Sequence, residues 1–152
     1  MTVCIYYHPE AYSTKGERLM GRNAAGESFL KGFCKHSRPE KSVWVYNEKA
    51  DEVENFGQLL RSFERSETAL QVNNRRYGRL KDATVLYYPG PDLGQLARHR
   101  SFFGHNAWSL CGITHTTASA GAMDAIVDLV VSPTREWDGL ICPSSAVKGH
   151  VL

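Results

Sequence analysis

The sequence predicts an α/β fold of the doubly wound type, with a mostly parallel sheet of about five to six strands and helices on both faces. Short apolar runs alternate along the chain with segments whose apolar residues recur at the helical period. Each run is bounded by polar residues, proline or glycine, as strands commonly are. Parallel neighbours need a crossover connection that is usually helical, so this alternation favours a parallel sheet.

Five runs have the length and composition of strands, and a sixth is a weaker candidate. The five are residues 3–7, 43–46, 84–87, 109–113 and 139–142. The sixth, at residues 69–72, is short. Together they supply the strands of a single sheet.

Apolar residues at helical spacing lie between these runs. The clearest set is Val53, Phe56, Leu60 and Phe63. Shorter helix candidates lie around residues 29–33 and 93–97. After the fourth strand a longer stripe predicts a packed helix: Met123, Ile126, Val127, Val130 and Val131.

Length and charge limit the possible partners. The chain has 152 residues, 42% of them hydrophobic, which suits one domain, 1–152, with a sizeable core. A net charge of +2 does not indicate a nucleic-acid partner. A basic cluster within residues 75–81 is interpreted as a solvated turn because acidic residues dilute its field. Without a leader or a transmembrane segment, a cytoplasmic protein is expected.

The cysteines and histidines do not form a metal-binding pattern. The cysteines are widely scattered, which favours reduced thiols over a disulfide framework. They are Cys4, Cys34, Cys111 and Cys142. His105 and His115 are ten residues apart, with no acidic ligand at helical spacing. Neither a metal nor a cofactor is expected.

Residues 21–28, GRNAAGES, have the spacing of a phosphate-binding loop except that Glu27 occupies the lysine position. A carboxylate there would repel phosphate, so a P-loop is excluded. Two interpretations of the glycines remain open. The free amides of a helix starting here could face an anionic group. Alternatively, Gly21 and Gly26 allow the helix to pack closely against the sheet.

His115 lies at the carboxyl end of the strand 109–113, where open α/β sheets bind ligands. A hydrogen-bonded histidine without chemistry is the competing interpretation. Nearby hydroxyls could orient a polar ligand or equally cap the next helix. These hydroxyls belong to Thr114, Thr116, Thr117 and Ser119. Ser144 lacks the frame of a nucleophile elbow and is interpreted as a helix cap near the cleft.

Several segments carry a family resemblance. They are GRNAAGESFL at 21–30, SLCGITHT at 109–116, AMDAI at 122–126 and WDGLICPS at 137–144. In these words and this order, the chain resembles the amino-terminal domain of bacterial family-4-type glycosyltransferases of the GT-B fold. The resemblance implies one Rossmann-like half of a two-domain enzyme.

In that family a sugar moves from a nucleotide-sugar donor to an acceptor, and this chain would be the acceptor-side half. The resemblance implies that Gly21, Arg22 and Gly26 approach the donor diphosphate. It places His115 near the donor sugar or the reacting hydroxyl, as the catalytic residue. It also implies a set of polar cleft residues, which are Thr114, Thr116, Ser119 and Ser144.

The family's donor-binding carboxylate and basic residues belong to a carboxyl-terminal domain that is not in this sequence. The chain is therefore expected to be inactive alone. It is expected to be the amino-terminal part of a longer polypeptide that continues past Leu152. Without the second domain, an exposed apolar face could self-associate. A non-catalytic α/β module that binds a small ligand or a partner remains an alternative, since doubly wound sheets host many functions. A nucleotide-handling enzyme of another family is disfavoured because the lysine and a dinucleotide fingerprint are missing.

Overall fold

The computed structural model describes residues 2–14, 21–40 and 42–152, and a six-stranded sheet lies at its centre. The strands are β1 Val3–Tyr6, β2 Ser42–Tyr46, β3 Thr68–Val72, β4 Val85–Tyr87, β5 Ser109–Ile113 and β6 Gly139–Ile141. Every neighbouring pair is parallel, and the order is β3-β2-β1-β4-β5-β6. This is the strand order of the Rossmann fold. The predicted doubly wound α/β fold is confirmed, including the sixth strand.

Helical segments connect the strands within the described residues. The α-helices are α1 Gly21–His36, α2 Ala50–Ser62, α3 Leu93–Ser101, α4 Ala120–Val131 and α5 Ser145–Val151. Two 3-10 segments were not predicted. Pro9–Tyr12 occupies part of the loop expected after the first strand, and Asn74–Asp82, kinked at Arg76, replaces the turn expected at the basic cluster.

The helices cover both faces of the sheet because the chain leaves β1 and β4 in opposite directions. Successive strand residues point to opposite faces, so Cys4 belongs to one core and Ile5 to the other. The core beneath α1 and α2 includes Leu30, Val45, Phe56 and Leu60. The opposite core, beneath α3 and the 3-10 segment Asn74–Asp82, includes Leu80, Leu86, Ala97 and Leu110.

The apolar stripe predicted for α4 is only partly buried, and this part of the prediction is wrong. Val127, Val130 and Val131 are between 61% and 85% exposed. The buried side of the helix instead centres on Ala125 and Ile126. The stripe is wider than the surface available to cover it, because α4 packs near the edge of the sheet beside a strand of only three residues.

Two further findings concern the cysteines and the helices. All four cysteines are free, and Cys4 and Cys34 are buried. Among the described helices, none combines the length and the apolar character needed to cross a bilayer.

Candidate functional site

The candidate site lies at the carboxyl edge of the sheet, where β1 and β4 are neighbours. The chain leaves β1 toward β2 and leaves β4 toward β5, so the two connections diverge and open a crevice between them. Ligands of open α/β sheets bind in such a crevice. The segments that follow β1, β4 and β5 all begin at this edge because the strands are parallel.

His115 follows β5 by two residues and is half-buried at this edge. Burial lowers the pKa of its imidazole below the usual 6.5, a hydrogen bond to the Pro89 carbonyl opposes that shift, and the charge of Arg22 adds to it. These interactions place His115 beside the loop after β4 and within electrostatic reach of the start of α1. Two of the predicted site regions therefore lie at the same edge of the sheet.

The lowered pKa of His115 makes acid destabilisation the expected outcome. The unfolded chain binds this proton near pH 6.5, whereas the folded protein binds it only at lower pH. Unfolding therefore takes up a proton in that window, and the free energy of unfolding falls as the pH drops through 6.5 toward the folded pKa. Urea unfolding should show a flatter pH profile for His115→Gln than for the wild type. An NMR titration midpoint for His115 at or above 6.5 would contradict this prediction.

One nitrogen of the His115 imidazole is directed at the Pro89 carbonyl. The nitrogen that faces Pro89 donates to a carbonyl oxygen, so the other nitrogen of the neutral ring is an acceptor. A neutral imidazole at pH 7 can accept a proton from a hydroxyl within hydrogen-bond distance. This is the chemistry that the position of His115 offers.

The start of α1 contains two glycines with different surroundings. Gly21 is exposed, and a Cβ added there would meet nothing within 4 Å. Gly26 is buried, and an added Cβ would lie 1.9 Å from the carbonyl oxygen of Ala11. Gly26 thus permits close packing, although against the 3-10 helix Pro9–Tyr12 rather than the sheet.

Side chains tie the start of α1 to the segment after β1. The Asn23 amide donates to the carbonyls of Glu10, at 2.8 Å, and Ser13, at 3.4 Å. The Tyr12 hydroxyl donates to the Tyr6 carbonyl at 2.7 Å. Residues 15–20, which include the end of the loop expected to lead into this helix, lie outside the described part of the chain.

The hydroxyls near His115 shape the backbone. Thr114 is buried and its hydroxyl donates to the Thr116 carbonyl at 3.0 Å. The Thr116 hydroxyl accepts from the Ala118 amide at 3.0 Å. Ser119 is the N-cap of α4 and accepts from the Ala122 amide at 3.2 Å, as the capping interpretation expects.

Ser144 caps the next helix in the same way. Its hydroxyl accepts from the Val147 amide at 3.2 Å at the start of α5. A second contact joins α5 to the His115 turn, since Thr117 Oγ1 lies 3.2 Å from His150 Nδ1. A capping hydroxyl accepts one hydrogen bond and still has its O–H group as a donor. Ser119 and Ser144 therefore fix the shape of the edge and keep one hydrogen-bond donor each for a ligand.

Sequence reasoning did not identify the loop after β4 as part of the site. The Gly90 carbonyl accepts from the Ile113 amide at 3.1 Å, and a Cβ on Gly112 would lie 2.6 Å from that carbonyl oxygen. The loop therefore crosses directly over β5, and Gly112 permits the approach. The Pro89-Gly90-Pro91 run was the available sequence feature, since such runs mark tight turns.

Asn47 holds the neighbouring strand ends in register. Its side-chain amide donates to the Tyr7 carbonyl and to Glu52 Oε2, both at 2.6 Å. Its Oδ1 accepts from the Lys49 amide at 2.6 Å. The asparagine thus links the ends of β1 and β2 to the start of α2. This role could not be predicted, because it depends on tertiary contacts that the sequence does not show.

The described residues contain no group of three or more side chains suited to a metal ion. The edge instead combines the half-buried imidazole of His115 with the first described turn of α1, which carries Arg22. Comparison with known proteins adds nothing to this picture, because no family model matches the chain and neither a curated protein nor a solved structure is significantly similar to it.

Proposed function

We propose that this chain is the acceptor-side, Rossmann-like domain of a GT-B glycosyltransferase, which moves a sugar from a nucleotide-sugar donor to an acceptor. The observation that carries the proposal is the half-buried position of His115 at the switch-point edge of the sheet, within electrostatic reach of Arg22. The family resemblance of residues 21–30 and 109–144 supports the same edge as the reacting one.

Each residue at the edge has a distinct role in this proposal. Arg22, together with Gly21 and the amino end of the α1 dipole, would approach the donor diphosphate and supply positive charge to it. His115 accepts a proton from the reacting hydroxyl or orients the donor sugar through its free nitrogen. Gly26 acts indirectly, because it lets α1 pack against the segment after β1 and so sets the position of Arg22.

The opposite wall of the cleft belongs to a second domain in this proposal. Stabilisation of the leaving diphosphate would come from that wall, and positioning between two walls provides much of the rate enhancement in such reactions. We therefore expect no sugar transfer from residues 1–152 alone. Turnover by the purified chain in an assay of donor consumption would contradict the two-domain proposal.

The test of the catalytic role uses the protein that includes the second domain. UDP-, GDP- and ADP-sugars are supplied with candidate acceptors, and transfer is followed by mass spectrometry. We expect His115→Ala to lower kcat/KM by about 10²-fold to 10⁴-fold. His36→Ala is the matched control, because His36 is exposed at the carboxyl end of α1, away from the proposed site. Absence of transfer with every donor, or equal effects of the two substitutions, would overturn the proposal.

A cytoplasmic location is part of the same proposal. Four free cysteines, two of them buried, are consistent with a reducing compartment. Labelling of thiols in intact cells before lysis would test this, with Cys111 and Cys142 as the less buried targets.

The second candidate is a non-catalytic module that binds a partner through α4. The exposed side chains of Val127, Val130 and Val131 favour it, because apolar patches of this kind commonly mark interaction surfaces. Self-association through the same stripe is a further expectation of this candidate. Sedimentation of the wild type and of Val130→Glu would distinguish an associating stripe from a monomeric domain.

A further inference from the structure

An open depression lies at the amino edge of the sheet, opposite the proposed reaction site. It has a volume of about 610 Å³ and is lined by His105, Asn106, Thr134, Arg135, Glu136 and Trp137. These residues come from the loop that precedes β5 and from the loop that precedes β6. The volume lies within the range of small-molecule sites, roughly 300–1,000 Å³.

Both walls of the depression are held by one buried ion pair. The side chains of Arg100 and Asp138 are 0% and 4% exposed, and they form two hydrogen bonds of 2.6 and 2.7 Å. Arg100 also donates to the Trp108 carbonyl at 2.9 Å, which fixes the loop before β5. Asp138 accepts from the Arg135 amide at 2.9 Å, which fixes the loop before β6. The depression is therefore built on a rigid base, which reduces the entropic cost of binding.

The side chains that line the depression are mostly uncommitted. In the described structure, the polar side-chain groups of His105, Asn106, Arg135 and Glu136 form no hydrogen bond or ion pair, although other surface charges such as those of Arg79 and Asp82 are paired. The ring of Trp137 is 44% exposed. An exposed indole surrounded by free donors and acceptors is available to an external ligand.

We propose that this depression binds a neutral carbohydrate, with Trp137 as the stacking surface. The aliphatic face of a sugar ring packs on the indole, whose face carries partial negative charge. Sugar hydroxyls both donate and accept, which matches the donors of Arg135 and Asn106 and the acceptor of Glu136. A phosphate-bearing ligand fits less well, because the Glu136 carboxylate would oppose it. The site is distinct from the carboxyl edge and goes beyond the proposed transferase function.

Tryptophan fluorescence tests the proposal in the chain itself. Trp44 and Trp108 are buried, so acrylamide quenches mainly Trp137. We expect methyl β-D-glucoside, methyl α-D-mannoside or maltose to protect Trp137 saturably, with a dissociation constant on the order of 1 mM for so open a site. An ¹H–¹⁵N spectrum should show the indole of Trp137 shifting with the same concentration dependence.

Three variants make the result specific. We expect Trp137→Ala to abolish the sugar-dependent shifts of neighbouring amides and Glu136→Gln to weaken binding several-fold, while Trp137→Phe retains part of it. Phe102→Ala is the control, since Phe102 is an exposed ring outside the lining residues and should not alter binding. Three results would each overturn the proposal: no saturable response to any of the sugars, unchanged binding in Trp137→Ala, or tighter binding of inorganic phosphate or UDP at Trp137.

Discussion

Replacing Gly26 with alanine is expected to lower the free energy of unfolding by about 2 to 3 kcal/mol. The new Cβ would lie 1.9 Å from the carbonyl oxygen of Ala11, which is a backbone atom and not the end of a flexible side chain. That backbone is held by the bond from the Ala11 amide to the His8 carbonyl and by the Tyr12 hydroxyl on Tyr6. Relief of the overlap therefore requires α1 and the 3-10 helix to separate.

Gly32→Ala in the same helix provides the matched control. A Cβ at Gly32 would meet nothing within 4 Å, so only the backbone preference changes. Alanine in a helix interior is favoured over glycine by roughly 0.5–1 kcal/mol, so this variant should be slightly more stable than the wild type. Urea unfolding followed by circular dichroism measures both. A Gly26→Ala protein as stable as the Gly32→Ala protein would show that α1 does not pack against Pro9–Tyr12 as described.

The strands were predictable because their determinants are local. Short apolar runs with turn residues on each side identify all six, including β3, and alternation with helices identifies the parallel arrangement. The two 3-10 segments were missed because each contains only two apolar residues, too few to establish a helical period from the sequence. The exposure of Val130 was missed for a different reason: a sequence shows that a helix has an apolar stripe but not how wide a surface will cover it.

The site was predictable only where topology dictates it. The position of His115 follows from its place just after a parallel strand, since all such ends share one edge. The contact of Gly26 with Ala11 joins residues whose proximity depends on how the segment after β1 folds back. Hydroxyls near a histidine indicate a site or a cap equally well, and Ser119 and Ser144 act as caps. The choice between those roles depends on backbone geometry that residue type alone does not specify.

Arg100 shows the same limit most clearly. It lies in the run Arg98-His99-Arg100, which is typical of a solvated helix end, yet it has no exposed surface. Its partner Asp138 is 38 residues away in sequence. A charge is buried in this way only where its counter-charge and enough hydrogen-bond acceptors converge on it. Four contacts meet the charge of the two terminal nitrogens: both carboxylate oxygens and the carbonyls of Trp108 and Pro133. The Nε of Arg100 has no partner among the described residues.

Replacing Asp138 with alanine is expected to cost about 3 to 5 kcal/mol of unfolding free energy. The substitution leaves the guanidinium of Arg100 buried without its counter-charge, and the amides of Leu110 and Arg135 lose their acceptor. Asp82→Ala is the control, because the Arg79–Asp82 pair is exposed and such pairs contribute little. Urea unfolding measures both variants, and a loss in Asp138→Ala no larger than in Asp82→Ala would contradict the burial of the pair.

The double variant Arg100→Met/Asp138→Leu separates the cost of an orphaned charge from the net contribution of the pair. Apolar side chains of similar volume need no counter-charge, so we expect the double variant to recover much of the stability lost in Asp138→Ala. The carbonyls of Trp108 and Pro133 would still lose their donor, which sets a limit on the recovery. Because the same pair holds the loops on both sides of Trp137, the double variant should fold yet bind sugars more weakly at the amino edge. Stability and ligand binding would then respond differently to one pair of substitutions, as expected if the pair positions the loops rather than simply stabilising the fold.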